Sequence, residues 1–360
     1  MCKITGVCDP GSRGHTLYVP LDRSRHPDVL ESTSAICVYD ACALPLRSEG
    51  EMLQQGEEVM LARNKAMLDS LSRKYGIKGV PILTELKSLS FPLSFPYDFM
   101  HLIWENCVDN LILLWTGKFK GLDEGREQYQ LNSSTWDAIG TTTAASGSTI
   151  PSAFGARPPN FMTQKSACSA ETWSFWTLFL RPILLCRRFR KCKYYDHFID
   201  FVKLINMCLQ FEISDDEIDV IQVGLIKWVK EYEESVLFFS FHLSRSDCRC
   251  SIYYQYNPQQ VSACPITIHA LLHIADSIKA TGPVWTTWAF PIERFCRLLL
   301  PAVKSRRFPY ASLDRHVIEG AQLLQIKLAH NLQEALDLQP HKCAVQGQLS
   351  HSSCRCFAMS

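Results

Sequence analysis

Apolar residues recur every three to four positions through most of this chain, and no series of segments alternates apolar with polar in the two-residue rhythm of strands. That periodicity commits the backbone to helices that each bury one face. Between 51 and 75, Met60, Met67, Leu68, Leu71 and Tyr75 share a helical face, and Gly76 closes the segment as a C-cap. From Asp98 to Phe119, Met100, Ile103, Cys107, Leu111 and Leu114 form the stripe to be buried. Helices are expected over Ala170 to Leu185, over Tyr194 to Phe211, and from the capping box at Ser214 and Glu217 to about Glu234. Another runs from Ile266 to about Lys279 and stops at Gly282-Pro283, and a last one spans roughly Ser312 to Leu336. The fold class expected is mainly α.

Between these helices the sequence is less regular. Residues 1–50 show turn formers and one short extended stretch, His15 to Leu21. A polar, small-residue stretch over 131–168 reads as an exposed loop or linker, and 337–360 reads as an unstructured tail.

Composition narrows the functional classes. Thirty-seven basic residues face thirty-six acidic ones, so no overall positive field draws the chain to phosphates, and nucleic-acid contact must come from local patches. Sixteen cysteines would suit a small disulfide scaffold, but the first residues carry no apolar signal core, so the thiols are read as reduced in an intracellular protein. The longest apolar run, Trp173 to Cys186, is too short for a bilayer and is interrupted by Arg181-Pro182. It reads as a core helix.

Several constellations carry possible chemistry. His269 and His273 stand four apart on a helix, hence on one face, as two imidazoles sharing a zinc ion require. Asp276 lies on the same side and can orient an imidazole. The alternative is a pair of core histidines satisfied by hydrogen bonds. A zinc peptidase is excluded, because Ala270 stands where an H-E-x-x-H motif needs its general base. Asp98, His101 and Glu105 share another face and suit a metal or a partner, or else an N-cap followed by a surface pair. Two basic clusters, Arg187, Arg188, Arg190, Lys191 and Lys193, then Lys304, Arg306 and Arg307, sit beside aromatics. They can grip DNA phosphates, or they are solvated faces.

An ordered set of strings gives a more specific lead: Ser94 to Leu102 (SFPYDFMHL), Ile150 to Gly155 (IPSAFG), Ile268 to Asp276 (IHALLHIAD), Gly282 to Trp285 (GPVW) and Ala289 to Phe295 (AFPIERF). Together, over roughly residues 1–330, they resemble the fungal branch of the CACTA (En/Spm-like) DNA transposases. The resemblance implies a DDE recombinase, in which an RNase H-like core presents three carboxylates to two Mg²⁺ or Mn²⁺ ions and a helical insertion precedes the third acid. It makes Glu293 that third acid. It also implies a zinc site built from a C-x-x-C pair, of which Cys2 matches the second cysteine, and an H-x(3 or 4)-H pair matched by His269 and His273.

On this mapping residues 1–50 hold a remnant of the zinc-binding loop, 51–265 the helical insertion domain, and 266–336 the C-terminal helices with the H-x-x-x-H pair, the last acid and an incomplete RNase H-like remnant. The other two catalytic acids and the partner cysteine are expected upstream of residue 1, as in a truncated copy or a truncated gene model. Residues 237–252, with Cys248-Arg249-Cys250, interrupt the resemblance as a translated intron would. The function implied is that of a transposase fragment, nuclear, with transposon-end DNA as partner and inactive alone, since one carboxylate cannot hold two ions. Two alternatives stand beside it. One is a DNA- or protein-binding module using the basic clusters; the other is a nuclease built on Asp98, Glu293 and one further acid.

Overall fold

The computed structural model describes residues 2–10, 16–32, 35–119, 122, 127–151, 154, 157–233, 252–254, 256–305, 307–332 and 335–336. Arg306, the tail 337–360 and all but Ile252 of the 237–252 interruption lie outside the described residues. The chain divides into two compact units, one of residues 1–150 with 156–288 and one of 151–155 with 289–360. The described residues are mainly helical. They form no β-strand, only the isolated bridges Cys2 to Leu46, Val7 to Tyr18 and Asp22 to Val38, so no sheet supports the expected RNase H-like remnant.

The first unit opens with an irregular segment held by buried polar groups. Arg23, 2% exposed, donates to Ile36 O at 2.9 Å, to Tyr39 Oη at 2.8 Å and to Thr5. His26 caps the short helix α1 (Pro27–Leu30) and bonds Cys8 O through Nε2 at 2.8 Å. Two longer ties reach the helical body: Leu21 N donates to the Glu233 carboxylate at 2.7 Å, and Val19 N donates to Cys264 O at 2.9 Å. Hydrogen bonds to a buried charged group are worth more than neutral ones, so the Arg23 and Glu233 contacts add to the burial of Val7, Val19, Leu21, Val29 and Tyr39 in fixing this segment.

The run expected as one helix over 51–75 is two, α2 (Glu49–Met60) and α3 (Lys65–Tyr75). Asn64 causes the break, because its side chain accepts from Met67 N at 2.9 Å and starts a new helix. Gly76 ends α3 at φ 66°, as anticipated. The apolar stripe of α3 buries no residue.

The central helix begins with a π-helical stretch (His101–Cys107) and continues as α4 (Val108–Thr116). Met100, Ile103, Cys107, Leu111 and Leu114 are all at 1% exposure or less, so the stripe read from the sequence is the core face. Residues 131–168 differ from expectation, because α5 (Ser133–Ser146) forms there. Asn132 caps it by accepting from Thr135 N at 2.8 Å, and Trp136, Ile139, Gly140 and Thr143 make a buried face at helical spacing. Trp136 bonds Trp115 O at 3.1 Å, and Trp176 bonds Thr143 Oγ1 at 3.1 Å. Tertiary packing outweighs the small-residue composition here.

Next comes the run α6 (Ala170–Phe175), a π-helical turn (Trp176–Leu180) and α7 (Arg181–Leu184), close to the predicted bounds. Helices α8 (Cys192–Cys208) and α9 (Asp215–Glu233) pack closely, since a Cβ on Gly224 would stand 2.3 Å from Leu204 Cδ2. His197 stacks on Trp228 at 4.3 Å between ring centres. The unit ends with α10 (Ile266–Ala270), one 3-10 turn (Leu271–His273) and α11 (Ile274–Thr281), stopped by Gly282 at φ 87°. No helix of the described residues is long and apolar enough to cross a membrane.

In the second unit, α12 (Phe290–Leu299) and α13 (Pro309–Ala329) bury no residue. Ile292, Phe295 and Leu298 on α12 are 65%, 54% and 72% exposed.

Candidate metal centre

The helix that carries the histidine pair is apolar on nearly every side: Ile268, Leu271, Leu272 and Ile274 are each at 2% exposure or less. Their burial takes His269 and His273 inside with them, at 4% and 6% exposure. The bond from Val19 N to Cys264 O draws the N-terminal segment to the start of this helix, and the Cys2 to Leu46 bridge pins the backbone of Cys2. As a result Cys2, His269 and His273 place one donor atom each within 4.8 Å of one another.

The two Nε2 atoms are 3.2 Å apart, with the rings at 69° to each other. Two imidazole nitrogens on one tetrahedral zinc, at about 2.0–2.1 Å from it, stand roughly 3.3 Å apart. The observed separation fits that edge. Without an ion, one Nε2–H donating to the other nitrogen also accounts for it, which is the core-pair alternative.

The electrostatics of the two histidines differ. Burial, helped by the neighbouring His273, pushes His269 down to about 4, so its imidazole is neutral at pH 7 as coordination requires. For His273 burial works in the same direction, but Asp276 and Cys2 outweigh it and the net shift is upward. The Asp276 carboxylate lies 4.0 Å from His273 Nδ1, an electrostatic neighbour rather than a hydrogen-bond partner. His269 Nδ1 is buried with no acceptor, so that ring is oriented by packing and by its Nε2 contact with His273. The ring of Tyr97 stacks on His273 at 6.0 Å and 17°. Sequence reasoning missed Tyr97, although it lies beside Asp98 inside the quoted SFPYDFMHL string.

These residues fit zinc as three of four ligands. A closed structural site needs a fourth, and the described residues bring three together.

The remaining candidates are placed as follows. Asp98 caps the central helix, accepting from Met100 N at 3.2 Å. His101 contacts the Asp98 carboxylate through Nδ1 and stands 3.8 Å from Glu105 through Nε2. That is the N-cap and surface-pair arrangement. Glu293 is exposed on α12, in the second unit, and among the described residues no metal-sized group of His, Cys, Asp or Glu includes it. Arg187, Arg188, Arg190 and Lys191 are exposed just before α8, while Lys193 lies over the Tyr194 ring at 4.9 Å. Lys304 and Arg307 are exposed in the second unit, the latter 5.4 Å from the Phe308 ring centre.

Comparisons with protein-family profiles, with curated proteins and with solved structures find no match.

Proposed function

We propose that this chain is a transposase-derived helical module of the CACTA type, stapled by zinc through Cys2, His269 and His273, and unable to transfer DNA strands on its own. The observation that carries the reading is the meeting of Cys2 with the histidine pair. The family resemblance pairs a cysteine at that position with this H-x-x-x-H, and nothing in local periodicity would bring residue 2 beside residue 273. Zinc there supplies cross-linking; the chain's residues supply a neutral imidazole at His269, a thiol at Cys2 and a ring of His273 held between Tyr97 and Asp276.

The second unit supports the same reading more weakly. Ile292, Phe295 and Leu298 give α12 an exposed apolar side, which on this reading an RNase H-like sheet would cover. Glu293 on α12 would be the third acid there. By itself it gives one anchor to an ion pair that needs several, so Mg²⁺ or Mn²⁺ should support neither cleavage nor joining. On this proposal the DNA partner is a transposon end and the compartment is the nucleus.

The test is metal binding by the full chain. Cobalt(II) added to metal-free protein should bind one to one, with a thiolate charge-transfer band in the near ultraviolet and tetrahedral visible bands. Cys2→Ser should remove the former and His269→Gln should weaken binding at least tenfold. Absence of stoichiometric binding, or binding indifferent to Cys2→Ser, would sink the proposal, as would Mg²⁺-dependent DNA cleavage lost in Glu293→Gln. A second reading, a nucleic-acid-binding module, is favoured by the four exposed cations from Arg187 to Lys191.

A further inference from the structure

The helical stretch that carries the histidine pair is broken between them. Leu271 N bonds Ile268 O and Ile274 N bonds Leu271 O, each three residues back rather than four. His273 sits at φ −110° and ψ 2°, outside the α region. Local sequence gives no reason for the break, since Ile266 to Thr281 contains neither glycine nor proline. The remaining cause of such a break is a side chain that bonds into the backbone ladder. Gln222 of α9 does so: its Nε2 donates to Leu272 O, in the middle of the turn, at 3.3 Å. Among the described residues it is the side chain that reaches the carbonyls of Leu271–His273 from another helix.

The turn lies between the two imidazoles and so fixes how they meet. A residue in a 3-10 turn advances about 2.0 Å and 120°, against about 1.5 Å and 100° in an α-helix. Over the three residues Leu271–His273 the difference is roughly 60° and 1.5 Å. Two Nε2 atoms 3.2 Å apart cannot absorb such a shift and still share one ion. Gln222 is half-buried, and one turn before it Asp219 grips Lys279 of α11 at 2.7 Å, so α9 holds the stretch at the turn and again beyond it.

We propose that Gln222 is a positioning residue for the metal: its bond to Leu272 O keeps the turn, and the turn keeps His273 against His269. This role rests on the metal reading above and adds to it a residue that acts through the backbone alone.

Cobalt(II) binding to the metal-free full chain tests it. Gln222→Leu, which keeps bulk and removes the donor, should weaken binding about tenfold and change the shape of the tetrahedral visible bands, with the Cys2 thiolate band retained. Gln222→Glu, which sets an acceptor against the carbonyl, serves if Gln222→Leu does not fold. Gln222→Lys, which keeps a donor, should bind as the unaltered chain does. So should Asp219→Asn, which breaks the ion pair with Lys279 and spares the turn. Unchanged affinity and bands in the Gln222→Leu and Gln222→Glu chains would overturn the role of Gln222 and leave the metal reading standing. An equal loss in Asp219→Asn would overturn it too, because loosened helix packing would then explain the effect. If the unaltered chain binds no cobalt, both readings fall.

Discussion

His197 shows how burial alone sets the behaviour of an ionisable side chain. It lies between Trp228 and Tyr253, bonds Trp228 O at 3.0 Å through Nε2, and is pushed down to about 4 by burial. Its folded value is below the unfolded value of about 6.5, so the unfolded chain binds the extra proton and acid favours unfolding. Its contribution is complete above about pH 6.5 and is lost as pH falls toward 4. Between pH 6.5 and pH 5 the cost is about 2 kcal/mol. Urea denaturation at those two pH values should show this loss, and His197→Phe, which keeps the stacking, should flatten the slope. An unchanged slope would mean that His197 is solvated. Nothing in the sequence marked this histidine, because its neighbours Trp228 and Tyr253 come from distant segments.

At the level of single elements, legibility followed the strength of the local pattern. The stripe from Met100 to Leu114 was readable because four large apolar side chains and Cys107 recur without a break, and each is buried. The run through Ala170 and Arg181 was readable for the same reason. Helix α5 was not: threonine, alanine, serine and glycine dominate it, and its four buried positions include only two large apolar residues, Trp136 and Ile139. What holds it is packing against Trp115 and Trp176, which local sequence does not encode. Asn132→Ala should therefore cost about 1 kcal/mol in urea unfolding, the usual loss for an N-cap. Gly140→Ala should also destabilise despite the better helix propensity of alanine, because the added methyl would lie 2.4 Å from Asn160 Oδ1. A neutral result for both would return this segment to the loop first expected.

For the molecule as a whole, the sequence indicated a mainly helical chain and the residues of one metal group. It did not indicate how the first fifty residues are secured. Their ties are polar contacts between separate stretches of chain, from Arg23, His26 and Leu21, and such contacts leave no periodic trace. The C-x-x-C and H-x-x-x-H correspondence, rather than any local rhythm, singled out Cys2. Surface charge is a separate property. If Arg187, Arg188 and Arg190 contact phosphates, binding to duplex DNA should weaken with salt, and neutralising all three should lower the log–log slope by up to about 0.9 per contact removed. Binding insensitive to the triple change would leave the cluster as a solvated face.

The break between α2 and α3 leaves Arg63 exposed, while the chain before it is anchored through Glu233 and Cys264. Tryptic scission there should yield a nicked molecule whose two pieces travel together on a sizing column and part only in denaturant. On that outcome covalent continuity at the joint is dispensable, and the amino-terminal piece acts as a bound ligand of the rest.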